Sequence, residues 1–163
     1  MRHPSLAKIL ATIVVLLVPA LAHADATLFI GPNTSPSNRT AKGFAIGAGL
    51  LVIGFEFEYS DTTDDAVSRA PSLKTGVGNL LLQTPVAFAG FQPYFEIGGG
   101  VYHEELSAIS VSNTGFAGNT GGGVKISLIG PIRLRLDYRV FTLRNGALTT
   151  PAHRIYAGLN LKF

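Results

Sequence analysis

Ile132-Arg133-Leu134-Arg135-Leu136-Asp137-Tyr138-Arg139-Val140 decides the fold. Apolar and charged residues alternate along it without a break. A helix would spread the arginines around its circumference, whereas a strand sends them all to one face. The same period of two runs through Ile53, Phe55, Phe57 and Tyr59 against Gly54, Glu56 and Glu58, and through Ile155, Ala157, Leu159, Leu161 and Phe163 against Tyr156, Gly158, Asn160 and Lys162. Phe95, Ile97, Gly99 and Val101 against Tyr94, Glu96, Gly98 and Gly100 make a fourth strand, and Phe44, Ile46, Ala48 and Leu50 a fifth. Glycine or consecutive leucines blur the period over 26–31, 75–84 and 116–128, which are read as three further strands.

Proline checks this reading independently, because it cannot donate to a ladder and is excluded from strand centres. Pro32, Pro36, Pro71, Pro85, Pro93, Pro131 and Pro151 fall between these segments or at their first residue. Polar connections are expected near 32–42, 60–73, 104–114 and 142–152. They alternate with short, mostly apolar ones near 51–52, 85–91 and 129–131, and Leu50-Leu51-Val52 carries no turn residue at all.

The N-terminus reads as a separate element. Arg2, His3 and Lys8 precede an apolar run from Ile9 to Val18, then Pro19 and Ala22-His23-Ala24. That is the layout of a secretory signal peptide, residues 1–24, cut after Ala24 to leave a barrel over 25–163. Losing Arg2 and Lys8 takes the formal net charge from +3 to +1, so no basic footprint points to nucleic acid. The chain is 163 residues long, 47% hydrophobic and 14% charged, which excludes a coiled coil or a charge-driven disordered chain. Without cysteine it has no disulfide framework, thiolate zinc site or cysteine nucleophile. No run reaches the roughly 18 to 20 uninterrupted apolar residues of a spanning helix.

Alternation alone leaves open which face meets water. A secreted lipocalin-like barrel buries its apolar face, whereas an outer-membrane barrel turns it to lipid. The second is favoured by large, aromatic-rich apolar positions opposite a face of Gly, Glu and Arg, by long polar connections alternating with short ones, and by the terminal aromatic Phe163. It is also favoured by the absence of the tryptophan that opens a lipocalin. The expected fold is all-β, an eight-stranded antiparallel up-and-down transmembrane β-barrel.

Asn79-Leu80-Leu81-Leu82 before a proline turn, Pro93-Tyr94 running into Gly98-Gly99-Gly100-Val101, Gly121-Gly122-Gly123-Val124, Arg135-Leu136-Asp137-Tyr138-Arg139 and terminal Phe163 occur in that order. In this the chain resembles the small eight-stranded outer-membrane β-barrels of Gram-negative bacteria, of the OmpA/OmpX and opacity types, over the whole of 25–163. The resemblance implies an integral outer-membrane location; a monomer among outer-membrane lipids and lipopolysaccharide is expected. It also implies insertion by the barrel-assembly machinery, with Phe163 as part of the signal that machinery reads.

Motifs for chemistry mostly fail. His103 and His153 stand at strand–loop boundaries, and neither matches the His and Ser two apart that lipid A deacylase barrels use. Gly118 to Lys125 lacks the Gly-Lys-Ser/Thr end of a phosphate loop. Asp61, Asp64 and Asp65 lack the glycine and closing glutamate of a calcium loop. No catalytic residue, metal or cofactor is therefore expected. The constellation left is internal: Glu56, Glu58, Glu96, Lys125, Arg133, Arg135, Asp137 and Arg139 all project inward. The third and seventh strands lie across a lumen just wide enough for side chains, so Glu56 and Glu58 are expected to pair with Arg135 and Arg139, and Glu96 with Lys125. Such a cluster is either the polar core of a closed barrel or a gated narrow channel. The expected role is structural, interfacial or adhesive, exerted through the outer loops.

Overall fold

The computed structural model describes residues 22–163; most of the expected leader lies outside them. Eight antiparallel strands follow one another: β1 (Ala22–Asn33), β2 (Arg39–Leu50), β3 (Ile53–Thr62), β4 (Ser72–Gln83), β5 (Phe91–Leu106), β6 (Val111–Ile129), β7 (Ile132–Leu143) and β8 (Ala152–Lys162). Each pairs with its sequence neighbour, and β1 pairs with β8, so the sheet closes into a barrel with no free edge.

The face question is answered by burial. Leu28, Phe55 and Phe95 are 71%, 67% and 53% exposed, while Arg135, Arg139, Glu58 and Glu96 are fully enclosed. The apolar side is the outer one, as in a transmembrane barrel, and the lipocalin-like arrangement is not adopted.

The strands reach further than alternation shows. The long connections shrink to 34–38, 63–71, 107–110 and 144–151, the third holding one 3₁₀ turn, Ser107–Ile109. Beyond the apolar belt the backbone ladder continues between polar residues, for example Glu105 with Ser112 and Arg39 with Asn33. Pairing needs backbone N–H and C=O groups, not an apolar partner. Pro32 and Pro93 consequently lie inside β1 and β5, near their ends. The β1–β8 ladder is interrupted across Gly31 and Pro32, where a proline has no N–H to offer. Strand β1 takes in Ala24, whose N–H and C=O both bond Phe163 at 2.8 and 2.9 Å. Cleavage after Ala24 would make Asp25 with Lys162 the first rung.

The ladders are staggered. Following paired residues once around, from Arg39 through Asn33, Arg154, Arg139, Gly121, Glu96, Leu81 and Gly54, leads back to β2 at Gly49, ten residues from the start. Such a shear tilts the strands by about 40° to the barrel axis. Residues paired along a row therefore stand at different heights in the lumen. In the β6–β7 turn, Ile129 rather than Leu128 pairs with Ile132. The register shifts between Ser127 and Ile129, yet Lys125 faces Arg135 and Gly121 faces Arg139 as the alternation requires.

The two-residue connection Leu51-Val52 closes without a turn residue because Leu51 takes φ +55°. A side chain there presses on its own backbone, at a cost of about 1–2 kcal/mol. Leu51→Gly should raise the equilibrium stability of the refolded barrel by about 1 kcal/mol in a denaturant titration. An unchanged or lowered midpoint would refute the strain.

Candidate functional site

The inward positions of the strands fill the lumen in three layers. Nearest the short turns, Asp25 on β1 accepts from Lys125 at 2.6 Å and from Arg133 at 3.0 Å. Arg133 also donates to Asn160 Oδ1 at 2.7 Å and Gln92 Oε1 at 2.9 Å, so every arm of the guanidinium has a partner.

In the middle layer Arg135 crosses from β7 to β3 and grips Glu56 with both terminal nitrogens. Its Nε donates to Tyr94 Oη at 2.6 Å, and Tyr94 in turn donates to Asp137, a close bond that ties β5 to β7. Arg139 contacts Glu58 at 2.7 Å, Asp137 at 3.2 Å, and Glu96 closely. Its contacts with Glu58 and Glu96 are ion pairs without hydrogen-bond alignment. Arg154 holds Glu58 from the other side, donates to Ser60 Oγ, and lies over the Phe141 ring at 4.6 Å. A charge taken out of water is tolerable only when paired in this way. The middle layer sets Arg135, Arg139 and Arg154 against Glu56, Glu58, Glu96 and Asp137; the turn-side layer sets Lys125 and Arg133 against Asp25. Each layer alone is off balance by one charge, in opposite senses, and together they are neutral.

The third layer, toward the long loops, is apolar: Leu73, Val77, Tyr102, Ala117, Phe141, Leu143 and Ala152 pack together across the lumen. It was hidden in the sequence because Tyr102, Phe141, Leu143 and Ala152 fall on or beside stretches of loop composition. Phe29 and Tyr156 stack between the layers, with ring centroids 4.1 Å apart.

Each of the eight inward residues expected from the sequence lies in the lumen, with one change of partner. Glu96 does not serve Lys125; it lies against Arg139 and, at 3.5 Å, Arg135. The reason is register. Lys125 is opposite Gln92, four residues nearer the turns than Glu96, whereas Glu96 shares its row with Gly121 and Arg139. Asp25 and Arg154 were missed. Extending the alternation of β8 back from Tyr156 by one step would have found Arg154, whereas Asp25 lies just outside the apolar run of β1. The glycines of β6 opposite β7 make space. A Cβ on Gly123 would come within 2.5 Å of Tyr94 Oη, so it is the tyrosine that occupies that opening, while Gly121 accommodates Arg139.

The remaining candidates have local partners. His103 Nδ1 is 2.8 Å from Thr114 Oγ1, and His153 Nδ1 is 2.7 Å from Tyr138 Oη, both on the outer face. Asp65 closes its own loop by accepting from Ser68 and from the backbone of Val67. The bond from the Ser68 hydroxyl, with the backbone donors, holds its carboxyl below the usual aspartate range.

The chain is similar to Neisserial surface protein A (15% identity, TM-score 0.66, covering 87% of this chain and 96% of that one). It is also similar to the N-terminal β-barrel domain of Pseudomonas aeruginosa OprF (15%, 0.62, 86% and 97%) and to the outer membrane enzyme PagL (12%, 0.51, 84% and 98%). No protein-family model matches the chain, and no curated protein matches it in sequence. The fold is that of the small eight-stranded outer-membrane β-barrels. Since an enzyme is among the structures that share it, the fold alone assigns no activity.

Double-mutant cycles test the network. Glu56→Gln or Arg135→Gln alone should destabilise the barrel by about 3–5 kcal/mol, less where water enters, and the double variant should recover about 1–3 kcal/mol of the summed loss. Glu96→Gln with Lys125→Gln should instead be additive within about 0.5 kcal/mol. Additivity in the first pair would show that β3 and β7 do not communicate across the lumen.

Proposed function

We propose that the chain is an integral protein of the bacterial outer membrane, exported through the leader over 1–24 and beginning, once processed, at Asp25. It is monomeric, and its role is structural, interfacial or adhesive, exerted through the loops 34–38, 63–71, 107–110 and 144–151. Outer-membrane lipids, lipopolysaccharide and, during insertion, the barrel-assembly machinery are its partners. The reading involves no catalysis and no cofactor.

One observation carries it: the lumen is filled from end to end by a neutral ion-pair network capped with an apolar layer. Conduction requires binding weak enough for ions to leave, and a cross-lumen arginine held by two or more carboxylates does not provide that. A gated channel would have to break the Arg135–Glu56 pair and part the apolar layer in the same event. The outward apolar belt and the absence of a free sheet edge support the membrane location.

In planar bilayers the protein should give no stable conductance, and Glu56→Gln with Arg135→Gln should raise the baseline. A regular unitary conductance in the unmodified protein would replace this reading with the channel. Assembly has its own test, in which deleting Phe163 should lower the amount of heat-modifiable barrel in cells more than Lys162→Gln does. Equal amounts would remove Phe163 from the assembly signal.

A further inference from the structure

On the outer wall, at the loop end of the apolar belt, the registers bring five polar side chains into one row. Lys42 on β2 pairs with Asp61 on β3, Asp61 with Lys74 on β4, Lys74 with His103 on β5, and His103 with Thr114 on β6. All but half-buried Asp61 are exposed. From Lys74 the strand descends eight residues to Leu82, about 20 Å along the axis at a 40° tilt, close to the height of a lipid-facing belt. The row therefore marks the outer boundary of that belt.

Directly below Lys74 the wall is hollow. The next outward residues of β4 are Gly76 and Gly78, and a Cβ built on either finds no atom within 4 Å. The backbone does not demand glycine there. The contrast is with Gly98 and Gly100, where a Cβ would fall 2.4 and 2.0 Å from the carbonyl oxygens of Gly78 and Gly76. Glycine at an outward belt position gives up apolar area and weakens the strand, so these two need another reason. Gly78 opens on a trough walled by Phe55 and Phe57 on one side and Ile97 on the other, with Leu80 at its foot, and the open space continues upward over Gly76, between its ladder neighbours Tyr59 and Val101.

Within the row two ammonium groups and an imidazole share the one carboxylate of Asp61, and exposed Glu105 stands one rung above His103, on the loop side. Among the described residues neither Lys42 nor Lys74 is in an ion pair within 4.0 Å. Directly paired side chains on adjacent strands start about 4.5–5.5 Å apart, so Lys74 and His103 can close on one anionic group. With Nδ1 engaged by Thr114 Oγ1, Nε2 of His103 is left for that group. Lys42, lower on the tilted wall, reaches the same level by extending its stem along the surface.

We propose that this wall binds a phosphate-bearing acyl lipid of the outer leaflet, with its phosphate between Lys74 and His103 and one acyl chain lying in the Gly76–Gly78 trough. Charge at the head and an unfilled apolar trough beneath it select an amphiphile over either a free anion or a neutral lipid. This rests on the membrane reading above, and the test separates the two.

The refolded mature chain in detergent micelles is offered phosphatidic acid or phosphatidylcholine with identical acyl chains, and retained lipid is counted by native mass spectrometry. One phosphatidic acid should be retained in preference to phosphatidylcholine. Lys74→Gln should lower that retention about fivefold, the value of one lysine against an anionic headgroup. Lys74→Arg should keep it, Gly78→Leu should lose it by filling the trough, and Lys162→Gln at the turn end should leave it unchanged. Equal retention of both lipids, or of phosphatidic acid by Lys74→Gln, overturns the site. Displacement by millimolar inorganic phosphate also overturns it, as a free-anion site. Loss of heat-modifiable migration by the unmodified protein would overturn the membrane reading itself. Normal migration with unselective lipid retention would overturn only the lipid site.

Discussion

The charges of β7 cannot leave the lumen, and most of the interior follows from that. Arg133, Arg135 and Arg139 share one inward face of one strand, in a barrel too narrow to hydrate them. Each must find carboxylates or neutral acceptors on other strands. Arg133 finds Asp25, Asn160 and Gln92; Arg135 finds Glu56; Arg139 finds Glu58, Glu96 and Asp137. Because Asp25, Glu56, Glu58, Gln92 and Glu96 lie on β1, β3 and β5, these pairs lace β7 to strands with which it shares no ladder. Closure by backbone hydrogen bonds sets the cylinder, and the ion pairs fix its cross-section.

Space inside is managed as strictly as charge. Tyr94 lies over Gly123 and Phe29 over Gly43, so aromatic rings take the room that glycines on neighbouring strands surrender. On the outer wall the same residue does the opposite. Gly76 and Gly78 leave room that no described side chain occupies, below a row of cations that the lumen network does not reach. Inside, the two charged layers balance each other; outside, the opening at Gly78 lies below charges that have no ion-pair partner among the described residues.

The strand order, the inward face of β7 and the outward apolar belt were legible from periodicity alone, since a side-chain period of two survives any tertiary arrangement. Strand ends were not. Tyr102, Phe141, Leu143 and Ala152 looked like loop because nothing beyond the belt requires alternation, and they became the apolar layer that caps the lumen. Arg154 was one step of alternation away from recognition. Asp25, next to the expected cleavage site, lay just outside the apolar run of β1.

What the sequence determined by itself is the set of residues that face inward, including both signs of charge, because facing depends only on position along a strand. What only the tertiary structure decided is which of them meet. The ten-residue shear tilts every strand, so Glu96 stands between Arg135 and Arg139 and meets both, while Lys125 lies beside Asp25. Shear is a property of the closed sheet as a whole, set by eight registers together, and no single stretch of chain encodes it.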